Sequence, residues 1–171
     1  FIYRKVRNQD SIVVTPQKVA DTLYSYVIPD SFVTTQGIAY RILAQDSASN
    51  EVLTSYYAIA VEIEQKEAPF ELPAGSEQTA YRMISIPYIL ENPEPLTVLE
   101  PVFGQYDPAH WRLFDWQGKW VEATDPAFRD FAPGRAFFLI TRDTGKKIVG
   151  TQGITVPIDS PFVIELDSGW N

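Results

Sequence analysis

The sequence predicts an all-β fold, built from two antiparallel β-sandwich-like modules in tandem. Short apolar runs recur along the 171 residues, and 13 Pro and 9 Gly punctuate them as turn residues. Aromatic residues make up 13% of the chain, and aromatic side chains are enriched in half-buried strands. Tyr57, Ile59, Val61 and Ile63 recur at every second position, which places them on one face of a strand.

Changes in composition divide the chain into two modules and a linker. Residues 1–64 contain apolar runs at the spacing of an antiparallel sandwich, whereas residues 65–78 are polar and interrupted by Pro and Gly. Residues 79–171 return to the strand pattern. One helical turn is expected at residues 95–100, because Pro suits the first position of a helix. Pro101 and Gly104 are expected to end that turn.

A hairpin is predicted over residues 111–123. We favour a three-residue loop at residues 116–118 over a two-residue turn, with Gly118 in the left-handed conformation that such a loop needs. Each cross-strand pair is then similar in character or opposite in charge. The predicted pairs are Asp115 with Lys119, Phe114 with Trp120, Leu113 with Val121, and Arg112 with Glu122.

Residues 136–140, with the sequence AFFLI, are apolar at every position. A strand with two apolar faces has to be covered on both sides. We therefore expect this segment to be a central buried strand of the second module, with Phe138 in its core.

Charge and composition exclude several classes of function. The net charge is −8 and no stripe of Lys and Arg is present, so nucleic acid is not an expected partner. No apolar run approaches the roughly 20 residues of a membrane-spanning helix, so membrane insertion is not expected either. The absence of Cys excludes disulfides, thiolate metal sites and a Cys nucleophile.

No group of residues predicts catalysis. His110, the single histidine, lies in a loop that leads into a strand, and no Gly-x-Ser-x-Gly motif accompanies it. Two carboxylate pairs, Glu91 with Glu94 and Asp125 with Asp130, have the residue types of a glycosidase. Both pairs lie in Pro-rich loops of an acidic chain, where carboxylates are expected without a catalytic role. We therefore predict no enzymatic activity and no catalytic residue.

Metal and cofactor sites are not predicted. One His and no Cys are too few ligands for a transition metal. Residues 46–51 supply several oxygen ligands, but they lack the Asp-x-Asp-x-Asp-Gly spacing of a calcium loop. Asp, Ser and Asn are also typical of a turn between strands, which is the interpretation that we favour.

The tryptophans allow a carbohydrate-binding interpretation. Trp111, Trp116 and Trp120 lie on one predicted hairpin, where an exposed row of rings would stack on pyranose faces. The predicted register gives no flat row of three, so we favour rings that fill a core. Candidate contacts for a ligand or partner are Trp116 in the loop, Tyr106 before the hairpin and Trp170 near the last residue.

The segments of the first module that carry a family resemblance are Tyr3-Arg4-Lys5, YVIP at 26–29, VTTQGIAYRILAQD at 33–46, and Asn50. On these segments the module resembles the immunoglobulin-like or fibronectin type III-like modules of bacterial surface proteins. In that family, opening strands precede the Tyr-Arg segment. The resemblance therefore implies a module whose opening strands are absent from this chain.

A second resemblance is carried by YRMISIP at 81–87, WRLF at 111–114, PGRAFFLI at 133–140 and GWN at 169–171. On these motifs the second module is similar to a β-rich module near the C-terminal side of large secreted bacterial proteins. Such modules are accessory or structural, so the resemblance implies an extracellular or cell-surface location. It supplies no catalytic residue.

The chain begins within a predicted strand at Phe1 and ends on Gly169-Trp170-Asn171, and we expect it to be a piece of a larger protein. The sequence thus predicts a non-enzymatic structural or interaction segment. Its expected partners are other proteins, neighbouring domains of the parent chain, or further copies joined through exposed strand edges. The alternatives are a carbohydrate-binding accessory module, with a glycan partner, and a non-catalytic region of a secreted hydrolase.

Overall fold

Short antiparallel strands dominate this protein. A computed structural model describes residues 2–5, 11–35, 37–64, 66–67, 71–150, 152–157, 159–164 and 166. Within these residues the helical structure is one nine-residue α-helix and two 3₁₀ turns, at Asp30–Phe32 and Gln78–Ala80. The strand pairings that precede the α-helix in the chain and those that follow it are antiparallel. The predicted all-β fold is therefore confirmed.

The first unit spans Phe1–Val61 and Thr155–Phe162. A four-stranded sheet with the order β2-β1-β5-β8 carries its buried side chains, which include Ile2, Tyr3, Ile38 and Ala39. Two ribbons, β3-β4 and β6-β7, each consist of two paired strands. The strands of this unit are β1 (Ile2–Lys5), β2 (Ile12–Val13), β3 (Gln17–Lys18), β4 (Tyr24–Ser25), β5 (Ile38–Arg41), β6 (Leu43–Gln45), β7 (Glu51–Leu53) and β8 (Tyr57–Ile59).

The second unit spans Glu62–Ile154 and Val163–Asn171. Its largest sheet has the order β11-β15-β13-β14, and smaller sheets have the orders β12-β17-β9 and β10-β16. Its elements are β9 (Glu62–Ile63), β10 (Lys66–Glu67), β11 (Arg82–Ile84), β12 (Tyr88–Leu90), α1 (Pro95–Phe103), β13 (Trp111–Trp116), β14 (Trp120–Glu122), β15 (Phe137–Thr141), β16 (Val149–Gly150) and β17 (Gly153–Thr155). The last residue of β17, Thr155, falls in the first unit.

Helix α1 is longer than the predicted single turn, because it continues through Pro101 to Phe103. Gly104, with a φ of +83°, ends it as predicted. The Glu94 carboxylate caps its first turn by accepting hydrogen bonds from the backbone N–H groups of Leu96 and Thr97. The apolar side chains of α1 are buried against the sheet, and the ring of Phe103 lies 5.3 Å from that of Trp111. This packing offsets the hydrogen bond that Pro101 cannot donate.

The core of the second unit combines one face of α1 with the inner face of the large sheet. Its buried members are Leu72, Ile84, Ile86, Leu90, Val98, Leu99, Phe103, Trp111, Leu113, Phe131, Phe137 and Leu139. The cluster includes Trp111 but neither Trp116 nor Trp120, so the predicted placement in a core is correct for one of the three tryptophans of the hairpin.

The unit boundaries differ from the predicted linker at residues 65–78. Strand β10 within that range pairs with β16. Leu72 is buried in the core of the second unit, and its N–H donates to the carbonyl of Lys146 at 2.8 Å. The apolar side chain of Leu72 and the backbone pairing thus place this segment in the second unit. Thr155 instead exchanges hydrogen bonds with Val61 of the first unit.

The predicted hairpin register is wrong. Trp116 lies opposite Trp120, Asp115 opposite Val121, and Phe114 opposite Glu122, so the loop comprises residues 117–119. Gly118 has a φ of +72°, as predicted. The observed register brings the two tryptophan rings together edge to face, with their centres 4.9 Å apart, and the ion pair between Arg112 and Glu122 forms on the diagonal.

Strand β15 is an inner strand, as predicted for residues 136–140, because β11 and β13 flank it. Its inner face is fully buried, with Phe137, Leu139 and Thr141 at 2% exposure or less. The predicted placement of Phe138 in the core is wrong. Phe138 lies on the opposite face and is half-buried, since the side chains over that face cover it only in part.

Candidate functional site

The outer face of the large sheet carries an exposed group of aromatic rings. Alternate residues of a strand point to opposite faces, so Trp111, Leu113 and Asp115 of β13 point into the unit. Arg112, Phe114 and Trp116 point outward and are half-buried. Aromatic side chains from β14 and β15 share this outer face.

These rings form a groove of about 400 Å³, lined by Gln78, Tyr81, Phe114, Trp120 and Phe138, which we call the aromatic groove. The ring of Trp120 stands perpendicular to that of Phe138 at 5.0 Å and nearly perpendicular to that of Phe114 at 6.4 Å. The Tyr81 ring is tilted by 59° against that of Phe114. The rings therefore enclose a concave surface and do not form a flat row.

A polar network continues from the groove along the same face. The Arg112 guanidinium donates two hydrogen bonds to Glu122, at 2.8 and 2.9 Å, and the Tyr106 hydroxyl donates to the same carboxylate at 2.7 Å. The Arg112 side chain also lies 4.7 Å above the centre of the Phe114 ring. We call these three residues the Arg112–Glu122–Tyr106 network.

This network shifts the acid–base properties of its members. The hydrogen bonds from Arg112, opposed by burial, hold the pKa of Glu122 below its ordinary value. Burial and then the hydrogen bond to Glu122 raise the pKa of Tyr106. Glu122 is therefore a carboxylate at neutral pH, and Tyr106 is a protonated phenol.

A second ion pair fixes the hairpin from the inner face. Asp115 is 1% exposed, and Arg129 donates two hydrogen bonds of 2.7 Å to its carboxylate. Gln117 donates to the same carboxylate, and Arg129 also bonds the carbonyl of Trp116. A charged group at this depth needs such partners. The position of the loop beside the groove depends on this pair.

The three predicted contact residues have different outcomes. Tyr106 is half-buried, with its hydroxyl on Glu122 and its ring at 4.8 Å from that of Trp111. Trp116 is half-buried against Trp120. Trp170 lies outside the described residues. The large exposed ring of the hairpin is Trp120, which is 56% exposed and was not predicted as a contact.

The residues considered for catalysis make contacts within turns and at a helix cap. His110 is exposed in a turn, 3.7 Å from the Asp107 carboxylate. Glu94 caps α1, and Asp125 accepts a hydrogen bond from the N–H of Ala127 inside a turn. The catalytic interpretation gains no geometric support from these contacts.

Residues 46–50 form a turn between strands β6 and β7, which is the interpretation favoured in the sequence analysis for residues 46–51. The Asp46 carboxylate accepts hydrogen bonds from the N–H groups of Ala48 and Asn50 and from the Asn50 side chain. These hydrogen bonds, led by that of the Asn50 side chain, lower the pKa of Asp46. Among the described residues, no group of three or more His, Cys, Asp or Glu side chains is arranged to hold a metal ion.

Comparisons with known proteins give no relative from which a function can be transferred. No protein-family model, no curated protein and no solved structure matches the chain. Within the ranges that the structure describes, no helix has the length and apolar character needed to span a membrane.

Proposed function

We propose that this chain is a non-enzymatic structural or interaction segment of a larger secreted or cell-surface bacterial protein. In this proposal its first unit is an immunoglobulin-like or fibronectin type III-like module, and the second is an accessory β-sandwich module. The first module joins neighbouring protein through the edge of its sheet.

The observation that carries the proposal is strand β8 at one end of the sheet β2-β1-β5-β8. It pairs with β5 along one side, and among the described residues no strand pairs with its other side. Tyr57 and Ile59 on this strand are exposed. An edge strand with exposed apolar side chains is a template for a further strand.

The distribution of other apolar side chains also supports this proposal. Large apolar residues are exposed on strands β2, β4 and β7 and in the segments between strands of the first unit: Val13, Val19, Leu23, Tyr24, Tyr26, Val27, Val33, Ile42, Val52 and Leu53. Such exposure at many positions is typical of a surface that a neighbouring molecule or domain covers. The other edge of the sheet is β2, because β1 lies between β2 and β5.

Sedimentation of purified chain variants tests this function. We expect the chain to self-associate with increasing concentration, and Ile59→Lys to abolish this association, because a charge at an edge strand opposes pairing. Ile89→Lys is the control: Ile89 is exposed to a similar degree, at 44% against 37% for Ile59, but it lies on β12 in the second unit. A wild-type chain that stays monomeric, or an equal effect of both variants, would contradict the proposal.

A further inference from the structure

The aromatic groove belongs to the second unit, whereas strand β8, which carries the proposal above, belongs to the first unit. We propose that the groove binds the pyranose rings of a neutral glycan, with Trp120 as the main stacking ring. This inference goes beyond the structural role proposed above, because it concerns the outer face of the sheet β11-β15-β13-β14 only.

The aromatic part of the groove matches the apolar face of a sugar ring. Trp120 is 56% exposed, although its ring contacts Phe114, Trp116 and Phe138. Ring contacts on several sides fix its orientation, so little side-chain freedom is lost when a ligand binds. Met83 is exposed and lies directly opposite Phe138 on the neighbouring strand, which adds an apolar side chain next to one wall of the groove.

Planar polar groups beside the rings match the hydroxyl groups of a sugar. The Gln78 side chain lines the groove and supplies amide donors and an acceptor. The Arg112–Glu122 pair lies on the same face, and both side chains are partly exposed. Arg112 uses two N–H groups on Glu122, and the exposed remainder of the pair offers further donors and acceptors to sugar hydroxyls. A pocket with apolar walls and a few oriented polar groups is typical of a ligand site.

Charge distinguishes this ligand from other partners of aromatic sites. The Arg112 guanidinium already lies on the face of Phe114, which disfavours a second cation there. The net charge of −8 disfavours an acidic glycan, and Glu122 offsets the charge of Arg112. A neutral glycan is compatible with both observations.

An array of oligosaccharides tests the inference directly. The probes are neutral glucans, mannans, galactans and xylans, with uronic acid and sialylated oligosaccharides alongside. Calorimetric titration of the strongest neutral probe then measures affinity. We expect Trp120→Ala to weaken binding by about tenfold or more, and Trp120→Phe to retain most of it. Gln78→Ala is expected to weaken binding less than Trp120→Ala.

The matched control is Tyr24→Ala, because Tyr24 is also 56% exposed but belongs to the first unit. It should leave the affinity unchanged, and circular dichroism should show the native spectrum for every variant. The inference is overturned if no neutral probe binds, if acidic probes bind better, or if Trp120→Ala binds as wild type does. Binding of a decaproline peptide at Trp120 in place of the glycans would also overturn it, because aromatic grooves recognise polyproline helices as well.

Discussion

The two units place their apolar side chains differently. In the second unit, side chains from a helix and several strands meet in one buried cluster. In the first unit, the buried residues lie mainly on β1 and β5, and large apolar side chains on most other elements are exposed. A unit with a closed core is stable by itself, whereas a unit with exposed apolar surface gains stability from whatever covers that surface.

The difference has a cause in strand length and layering. Strands β13 and β15 have six and five residues, and α1 covers the sheet that they form. In the first unit the ribbons β3-β4 and β6-β7 have strands of two or three residues. An isolated two-stranded ribbon is at best marginally stable in water, and a third strand or a packed layer is needed to hold it.

Hydrogen exchange measured residue by residue gives the largest expected contrast between the units. Amides of β13 and β15 should exchange only through global unfolding, which costs roughly 5–15 kcal/mol in a typical domain. Amides of β6 and β7 should exchange through local opening at far lower cost. Equal protection of β7 and β15 would show that the first unit has a closed core of its own.

Two adjacent phenylalanines on β15 sharpen this comparison within one strand. Phe137 is fully buried, so Phe137→Ala should lower the free energy of unfolding by about 3–5 kcal/mol. Phe138 is half-buried on the outer face, and Phe138→Ala should cost less than half as much. Denaturant unfolding of both variants measures the difference. Equal losses would mean that the outer face is as closely covered as the core.

The sequence was sufficient for the fold class and for the inner position of β15. Turn residues and the run of apolar residues at 136–140 are local signals that report directly on strands. The alternation at residues 57–63 predicted one strand and was wrong, because β8 and β9 share these residues and lie in different sheets. The extent of α1 was not predictable from such signals. Pro101 indicated an end, but burial of Leu99 and Phe103 carries the helix further.

The candidate site could be predicted only in part. The sequence located the aromatic hairpin, but a one-residue error in the predicted loop paired Trp120 with Phe114, whereas its observed partner is Trp116. The groove also needs Tyr81 and Phe138, which come from strands distant along the chain. The partner of Asp115 is Arg129, beyond the hairpin, and no local pattern links the two residues.

The Asp115–Arg129 pair gives a smaller expected effect than Phe137→Ala. Removing one partner of a fully buried pair costs about 3–5 kcal/mol, but Arg129 is 41% exposed, so Arg129→Gln should cost about 2 kcal/mol. Arg142→Gln is the control, because Arg142 is an exposed arginine of the same unit. Thermal unfolding of the two variants measures the difference. If they melt alike, the buried Asp115 does not depend on Arg129.

The smallest expected effect is that of Glu122, whose hydrogen bonds to Arg112 lower its pKa from an ordinary value of 4.5. A carboxyl with a lowered pKa in the folded state stabilises the fold above its unfolded pKa, and this stabilisation is lost as the pH falls through the folded pKa. Glu122→Gln should therefore cost about 0.5–1 kcal/mol at neutral pH, because the pair is partly exposed, and progressively less in acid. Unfolding in urea from neutral to acid pH measures the free energy of unfolding of wild type and Glu122→Gln. Glu91→Gln, at an exposed residue, is the control. A cost of Glu122→Gln that stays constant from neutral to acid pH would show that the carboxylate charge adds no stability.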